Sequence, residues 1–302
     1  MQIKFLPFGL VSNTSVNIFL GRRKSGKTVA IFSFLEKFKN DFKCGLIFCG
    51  SVATALEYSK IVPRSFIYPS VDTKLVKKFI ARQERGIHNG RIENTFILLD
   101  DCGFDSKQMN NKVIKSLFQN GRHYKICLII SLQYCLSIGP SLRSNCDFLW
   151  ACREKSITYR AKLYEHFNIC FKNLEEFDNI YRACTTNYDI FVMANALPTQ
   201  SDLVQDNCFY WKANFPAPAF KINRGGRWWQ LDEKSKKITG AQRGVIKKLP
   251  PQKISQEKIK NNNDLVVIPR VSRNTAVEFK NRRLEANGNW PHGKRNKWGR
   301  ST

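Results

Sequence analysis

The stretch that decides the fold is NIFLGRRKSGKT, residues 17–28, where a short apolar run gives way to glycine, positive charge and a hydroxyl side chain. Its spacing fits G-x-x-x-x-G-K-[ST], the pattern of a phosphate-binding loop, in which backbone N–H groups and a helix N-terminus surround phosphate oxygens. The residues expected to contact a nucleotide are Gly21, Ser25, Gly26, Lys27 and Thr28. The stretch therefore predicts a site for a nucleotide such as ATP.

The segments on either side of the loop support this prediction. VNIFL, residues 16–20, is typical of a buried strand, and KTVAIFSFLEKFKN, residues 27–40, has the apolar spacing of a helix. Lys27 is then placed to reach the terminal phosphates, and the Thr28 hydroxyl to hold a Mg²⁺ ion. ATP and Mg²⁺ are the expected ligands.

Further apolar runs alternate with amphipathic stretches up to about residue 213. The runs expected to form strands are 16–20, 44–50, 95–100, 125–131, 146–151 and 188–194. Helices are expected between them, for example over 72–84 and 107–119. The runs are continuously apolar, which is typical of strands covered on both faces. The pattern predicts an α/β fold with a mainly parallel sheet between helices, and a further edge strand over 207–214.

Positive charge is the strongest feature of the composition. The 302 residues include 50 Lys and Arg against 24 Asp and Glu, a net charge of +26. Residues 232–302 alone carry 18 Lys and Arg against 6 Asp and Glu, a net charge of +12. Such an excess predicts a polyanionic partner, because phosphate contacts release counterions and drive binding that does not depend on base sequence. We expect a nucleotide-binding domain over 1–231 and a basic, flexible or loosely attached tail over 232–302.

Cysteine usage and hydropathy limit the class of protein. No two of the ten cysteines form a C-x-x-C pair, and most lie in apolar runs such as CGLIFCG, so we expect reduced, buried thiols. The sequence begins without a signal-peptide pattern and has no apolar run near the roughly 20 residues of a membrane helix. These features predict a soluble, intracellular protein without a membrane span.

A pair of acidic residues follows a fully apolar run in TFILLDDC, residues 95–102. Ligands bind outside the carboxyl ends of strands in open α/β sheets, so Asp100 is placed to hold Mg²⁺ against the nucleotide phosphates. Asp101, the next residue, is placed to polarise an attacking water as a general base. An acid beside the metal ligand favours a hydrolase over a kinase, which must exclude water.

The next predicted strand has polar residues at both ends, in NGRHYKICLIISLQ, residues 120–133. We expect Gln133 beside Asp100, as a sensor of the γ-phosphate or of the attacking water. Arg122 lies at the opposite end of the strand, too far to reach the nucleotide of its own subunit. In a ring of subunits it would enter the neighbour's site and neutralise charge in the transition state, an effect worth roughly 10³–10⁵ in rate. Arg143 is the alternative candidate for this role.

The phosphate loop, FILLDD, NGRHYKICLIISLQ and SLRSNCDFLW, in this order and spacing, resemble the poxvirus-type genome-packaging ATPases. That family is part of a larger class of DNA-pumping ATPases that includes bacterial chromosome translocases, and similar proteins occur in large DNA viruses and virophages. The resemblance covers about residues 15–230 and includes CFYWKANFPAPAFKINRGGRWW near its end. It implies a P-loop NTPase fold, with double-stranded DNA as the partner.

Position by position, the resemblance assigns nucleotide binding to Lys27 and Thr28, metal binding to Asp100, the catalytic acid to Asp101, the sensor to Gln133 and the trans-acting finger to Arg122. The loop interior departs from the family, because relatives often carry Gly and Ser where this chain has Arg22, Arg23, Lys24 and Ser25. We expect these cations to face phosphate, either that of ATP or that of DNA.

The sequence thus predicts an ATP-driven translocase of double-stranded DNA that packages a viral genome into its capsid. It would act as a homo-oligomeric ring, at the viral assembly site of an infected cell or in the virion, with a capsid or portal protein as a further partner. The alternative within the same class is another DNA-transfer or helicase-like ATPase. A scaffold with slow turnover is disfavoured by the acidic pair, and a small-molecule kinase does not explain the basic tail.

Overall fold

The computed structural model describes residues 3–102, 109, 111–197, 201–216 and 219–238, with side chains up to Asp232. These residues belong to one compact unit. Their strands form a single nine-stranded sheet. In chain order the strands are β1 (Lys4–Phe5), β2 (Val16–Leu20), β3 (Cys44–Cys49), β4 (Ile67–Tyr68), β5 (Thr95–Asp100), β6 (Ile126–Leu132), β7 (Phe148–Ala151), β8 (Ile190–Ala194) and β9 (Cys208–Trp211).

The strand order across the sheet is β1-β9-β8-β7-β2-β6-β5-β3-β4. Neighbouring strands are parallel except in the two pairs that include β8. The strand before the phosphate loop, β2, therefore lies between β6 and β7. Because β8 runs the other way, its amino end lies at the edge where its parallel neighbours have their carboxyl ends. The prediction of an α/β fold with a mainly parallel sheet is confirmed.

Alternate residues of the central strands enter two separate cores, one on each face of the sheet. In β2, Ile18 and Leu20 belong to one core and Phe19 to the other. Ile97 and Leu98 of β5 likewise face opposite sides. Burial on both faces explains the unbroken apolar runs, and each such side chain contributes roughly 1.5–3 kcal/mol to stability.

Helices cover both faces of the sheet. In chain order they are α1 (Lys27–Lys37), α2 (Val52–Ile61), α3 (Thr73–His88), α4 (Lys112–Asn120), α5 (Pro140–Arg143), α6 (Ile157–Phe167), α7 (Leu174–Cys184), α8 (Val204–Asn207) and α9 (Arg227–Ile238). Helices α1 and α2 pack on the core that contains Phe19, whereas α3, α4, α6 and α7 pack on the other. Polar side chains begin several helices. Asp72 Oδ1, for example, accepts hydrogen bonds from the first backbone N–H groups of α3.

The edge strands of the sheet differ from those predicted from the sequence. The segment predicted as an edge strand, 207–214, contains β9, but β1 pairs with β9 on its outer side and forms the edge instead. Strands β1 and β4 were not predicted, because two residues are too few to show a periodic pattern. The helix predicted over 72–84 corresponds to α3. Of the helix predicted over 107–119, residues 112–119 belong to α4, and residues 107, 108 and 110 lie outside the described residues.

The predicted domain boundary after residue 231 lies inside α9. This helix packs on the segment before β4: the rings of Trp228 and Phe66 meet edge to face with centroids 5.4 Å apart. Asp232 Oδ1 also accepts a hydrogen bond from the Ser65 backbone N–H at 3.2 Å. Most of the predicted basic tail, residues 239–302, lies outside the described residues, so its flexibility stays a prediction. In the part of the chain that the structure describes, no helix is long and apolar enough to span a bilayer.

Candidate functional site

The phosphate loop joins β2 to α1 and depends on two glycines. Gly26 has a φ of +93°, in the left-handed region that favours glycine, and it directly precedes the first residue of α1. A Cβ on Gly21 would lie 2.5 Å from Ser25 Oγ and 2.8 Å from Cys152 Cβ, so the loop closes tightly at this point. Glycine is therefore favoured at position 26 by backbone conformation and at position 21 by lack of space for a side chain. The loop ends at the first turn of α1, whose N–H groups have no partner within the helix.

The Lys27 side chain contacts the first residue of the phosphate loop. Its Nζ donates a hydrogen bond to the Gly21 carbonyl oxygen. Burial lowers the pKa of Lys27 from its ordinary value, and the nearby Asp100 carboxylate opposes this shift. A partly desolvated ammonium group interacts more strongly with phosphate than a fully hydrated one. Thr28, the next residue, is exposed.

Asp100 is the last residue of β5 and is buried. The Tyr58 hydroxyl donates to Asp100 Oδ2 at 2.8 Å, and Ser131 on the neighbouring strand also hydrogen bonds to the carboxylate. Burial raises the pKa of Asp100, while these hydrogen bonds and the charge of Lys27 act against the rise. The Tyr58 ring in turn stacks on Phe32 of α1, with centroids 5.0 Å apart. The carboxylate is thus oriented by side chains from α2 and β6.

Asp101 and Gln133 meet beside it. Gln133 Nε2 donates to Asp101 Oδ1 at 3.0 Å, and both side chains are exposed. The sequence predicted Gln133 beside Asp100, and in the structure its amide contacts Asp101, the next residue. The parallel register of β5 and β6 puts Ser131 opposite Asp100. Gln133 lies two residues after Ser131, so it reaches Asp101, which follows Asp100.

These residues line one cavity of about 1050 Å³ at the carboxyl edge of the parallel strands. The phosphate loop and the first turn of α1 form one part of its lining. On the β5–β6 side lies the acidic wall, which comprises Asp100, Asp101, Ser131 and Gln133. On the β8–β9 side lies the aromatic wall, which comprises Asn187, Tyr188, Lys212, Ala213 and Phe215. The volume is at the upper end of the range for ligand pockets, roughly 300–1,000 Å³.

Several residues that line the cavity or bond to its carboxylates were not predicted, because they belong to no motif. Tyr58 comes from a helix, Ser131 from the interior of a buried strand, and Tyr188 from the turn before β8. The one local signal is TTN, residues 185–187, a polar run typical of a turn. Such a signal indicates where a turn lies but not what it faces.

The three cations in the loop interior differ in their contacts. Arg22 Nε donates to Glu154 Oε2 at 2.8 Å, and its guanidinium lies 4.7 Å from the centre of the Tyr159 ring. All three cations are exposed and line the cavity. Arg22, which was expected to face phosphate, is therefore paired with a carboxylate of its own chain.

Neither arginine that was predicted to act in trans lines the cavity. Arg122 lies in the turn before β6, at the opposite edge of the sheet, where its Nη2 is 3.5 Å from Asp147 Oδ1. Its side chain is 55% exposed. Arg143 lies in the connection from β6 to β7, and its Nη1 donates to the Ile138 carbonyl oxygen at 2.7 Å. Arg122 is thus accessible from outside the subunit but remote from the cavity of its own chain.

The oxygen donors at this edge fit Mg²⁺, which binds a few protein oxygens and completes its shell with water and phosphate. Thr28 supplies a hydroxyl and Asp100 a carboxylate, and both line the cavity. Among the described residues, no group of three or more His, Cys, Asp or Glu side chains is arranged to hold a metal ion. The ten cysteines are free thiols, and eight of them are buried.

Comparison with known proteins gives a match at the level of the family. The family model described as Poxvirus A32 protein matches residues 5–209, well over half of the sequence. The chain belongs to the poxvirus A32 protein family. Protein 075L of invertebrate iridescent virus 6 is 29% identical over 206 residues, which cover 68% of this chain and 79% of that protein. Protein 015R of Frog virus 3 is 27% identical over 216 residues, which cover 70% of this chain and 66% of the other.

Among solved structures, this member of the A32 family resembles the genome packaging NTPase B204 from Sulfolobus turreted icosahedral virus 2, determined in complex with ATP-gammaS. The sequence identity is 15% and the TM-score 0.46, over 67% of this chain and 98% of B204. The match to the A32 family contains the phosphate loop, the whole acidic wall and Tyr188. Lys212 and Phe215 lie beyond its end.

Proposed function

We propose that this chain is an ATPase that drives double-stranded DNA into a viral capsid. The observation that carries the proposal is the meeting, in one cavity, of Lys27 on a phosphate loop with the acidic pair Asp100 and Asp101. Membership of the poxvirus A32 family and the relatives from iridescent viruses support a viral role. The net charge of +26 supports DNA as the partner.

In this proposal, Lys27 and the first turn of α1 bind the terminal phosphates of ATP, and Thr28 and Asp100 hold Mg²⁺. The metal ion would neutralise charge on the phosphate oxygens. Asp101 accepts a proton from the attacking water, and Gln133 orients that carboxylate through its Nε2 hydrogen bond. Tyr58 and Ser131 keep the Asp100 carboxylate turned toward the cavity.

Arg122 is assigned to the site of a neighbouring subunit in a homo-oligomeric ring. Its position at the opposite edge of the sheet, outside the cavity of its own chain, supports this assignment. The contact with Asp147 is long, at 3.5 Å, and the Arg122 side chain is 55% exposed, so its guanidinium is accessible to a neighbouring subunit. Arg143 stays the alternative finger.

The basic residues 232–302 would raise the affinity for DNA or bind a capsid or portal protein, at the site of virion assembly or in the virion. Another DNA-transfer or helicase-like ATPase would use the same cavity. The family and the viral relatives favour packaging over that alternative.

Steady-state ATP hydrolysis by the full-length chain, with and without long duplex DNA, tests the proposal. We expect DNA to stimulate hydrolysis and the Lys27→Ala variant to lose it. Lys37→Ala serves as the matched control, because it removes an exposed lysine from the last turn of the same helix. Hydrolysis that is indifferent to DNA would contradict the translocase, and hydrolysis that survives in Lys27→Ala would contradict the site.

A further inference from the structure

The aromatic wall has no part in the proposed hydrolysis. Asn187 and Tyr188 belong to the turn before β8, and Lys212 and Phe215 to the segment after β9. They share an edge with the phosphate loop because β8 is antiparallel to both of its neighbours. The strand order places β5 and β6 on one side of β2 and β8 and β9 on the other. A ligand whose phosphates lie at the loop therefore has the acidic wall to one side and the aromatic wall to the other.

The turn before β8 holds its tyrosine in an unfavourable backbone conformation. The Asp189 N–H donates to the Thr186 carbonyl oxygen at 2.8 Å, and the two residues between them, Asn187 and Tyr188, have φ of +51° and +63°. Positive φ at both central positions is the pattern of a type I′ turn, in which glycine is preferred and a bulky aromatic residue is rare. Strain of this kind is concentrated at ligand sites, where the surroundings maintain it.

The two aromatic side chains of this wall are exposed. Tyr188 is 73% and Phe215 83% accessible. A Cβ placed on Gly26 would lie 3.5 Å from Tyr188 Cδ1, so the tyrosine ring is next to the glycine that begins α1. Exposed rings in a cavity that also contains a phosphate loop offer a stacking surface to a planar heterocycle, and Lys212 adds a hydrogen-bond donor to the same wall.

We propose that Tyr188 and Phe215 bind the base of the nucleotide whose phosphates lie at Lys27, and that Lys212 contacts its polar groups. This inference rests on the proposed function and extends it from the phosphates of the nucleotide to its base. The nucleotide then runs from the aromatic wall across the phosphate loop, with its γ-phosphate toward Asp101. Stacking of this kind recognises the face of the base.

Calorimetric titration of the full-length chain with Mg²⁺ and two probes tests the inference. The probes are a non-hydrolysable ATP analogue and inorganic tripolyphosphate, which keeps the phosphates but lacks the base. Tyr188→Ala is expected to raise the Kd of the analogue by roughly 5- to 150-fold, since stacking on one ring is worth about 1–3 kcal/mol, and to leave the Kd of tripolyphosphate unchanged. Alanine keeps a Cβ, so the backbone of the turn is expected to change little.

Two further variants complete the design. Tyr188→Phe keeps the ring and is expected to bind the analogue as the wild type does. Ile157→Ala removes a side chain that is 71% exposed and lies outside the cavity, and it should change neither Kd. Equal Kd values for the analogue in wild type and Tyr188→Ala would overturn the inference, as would equal weakening of both probes. Failure of the wild type to bind either probe would contradict the proposed function as well.

Discussion

The acidic and aromatic walls of the cavity are built in different ways. Asp100 is the last residue of a buried parallel strand, and Asp101 and Gln133 directly follow such strands. Tyr188 and Phe215 instead lie in a turn before a reversed strand and in an irregular segment after β9. Functional side chains at the ends of parallel strands form a local pattern that can be recognised in the sequence. A surface that depends on one reversed strand becomes visible only when the strand order is known.

The two walls should also differ in what they control. Changes in the acidic wall are expected to alter turnover at constant affinity, because these side chains act on the attacking water and the metal ion. Changes in the aromatic wall are expected to alter affinity at constant turnover, because the base takes no part in the chemistry. Measuring kcat and Kd separately for variants of each wall tests this difference.

The largest effect is expected from Arg122, which would act next to the acidic wall of a neighbouring subunit. Arg122→Ala should lower ATP turnover by roughly 10³–10⁵. Mixing this variant with Lys27→Ala should restore part of the turnover, because one mixed interface then combines an intact phosphate loop with an intact arginine. The measurement is steady-state hydrolysis over a range of mixing ratios.

A second mixture provides the control. Lys27→Ala and Asp101→Asn alter the same cavity of one chain and should not complement each other. Restoration in neither mixture would remove Arg122 from this role and leave Arg143 as the candidate.

An intermediate effect is expected from Asp101→Asn. Loss of the general base should lower kcat by roughly 10²–10⁴, while the Kd for the nucleotide stays within about twofold. Asparagine tolerates the φ of +47° at this position, so the backbone need not change. Asp41→Asn, an exposed aspartate outside the cavity, is the matched control and should leave kcat unaltered. A loss of affinity with unchanged kcat would show that the acidic wall binds and does not catalyse.

The smallest effect is expected from Tyr58→Phe, which removes the hydroxyl that donates to Asp100. The free energy of unfolding should fall by about 1–3 kcal/mol at neutral pH, because the hydrogen bond stabilises the ionised carboxylate. Its loss raises the pKa of Asp100 further, so the acid limb of the kcat–pH profile should move to higher pH. The destabilisation should diminish as the pH falls through that pKa, since the protonated carboxyl needs the donor less.

Chemical denaturation over a range of pH measures this effect. Tyr188→Phe removes a hydroxyl from an exposed ring and is the control, with a change within about 0.5 kcal/mol. Equal stability of wild type and Tyr58→Phe at every pH would show that the hydrogen bond to Asp100 contributes nothing.

Much of the fold could be predicted because its signals are local. The strand β2, the phosphate loop and α1 follow one another within 22 residues and have distinct patterns, and the unbroken apolar runs indicated a parallel sheet. The reversal of β8 left no such signal, because its five buried residues look like those of any other central strand.

The partners of the site residues were harder to predict, because they depend on register and on packing between distant elements. Ser131 faces Asp100 through a pairing of strands that no local pattern specifies. Tyr58 reaches the same carboxylate from a helix 42 positions earlier. Glu154 pairs with Arg22 across 132 positions. Side chains that support a motif residue thus come from anywhere in the chain.

A structure of the full-length chain with Mg²⁺ and a non-hydrolysable ATP analogue tests the central claim most directly. We expect the phosphates at Lys27, the γ-phosphate on the side of Asp101 and Gln133, and the base against Tyr188. A nucleotide bound with its base at the acidic wall, or bound away from the phosphate loop, would contradict the division of the cavity into a wall for chemistry and a wall for the base.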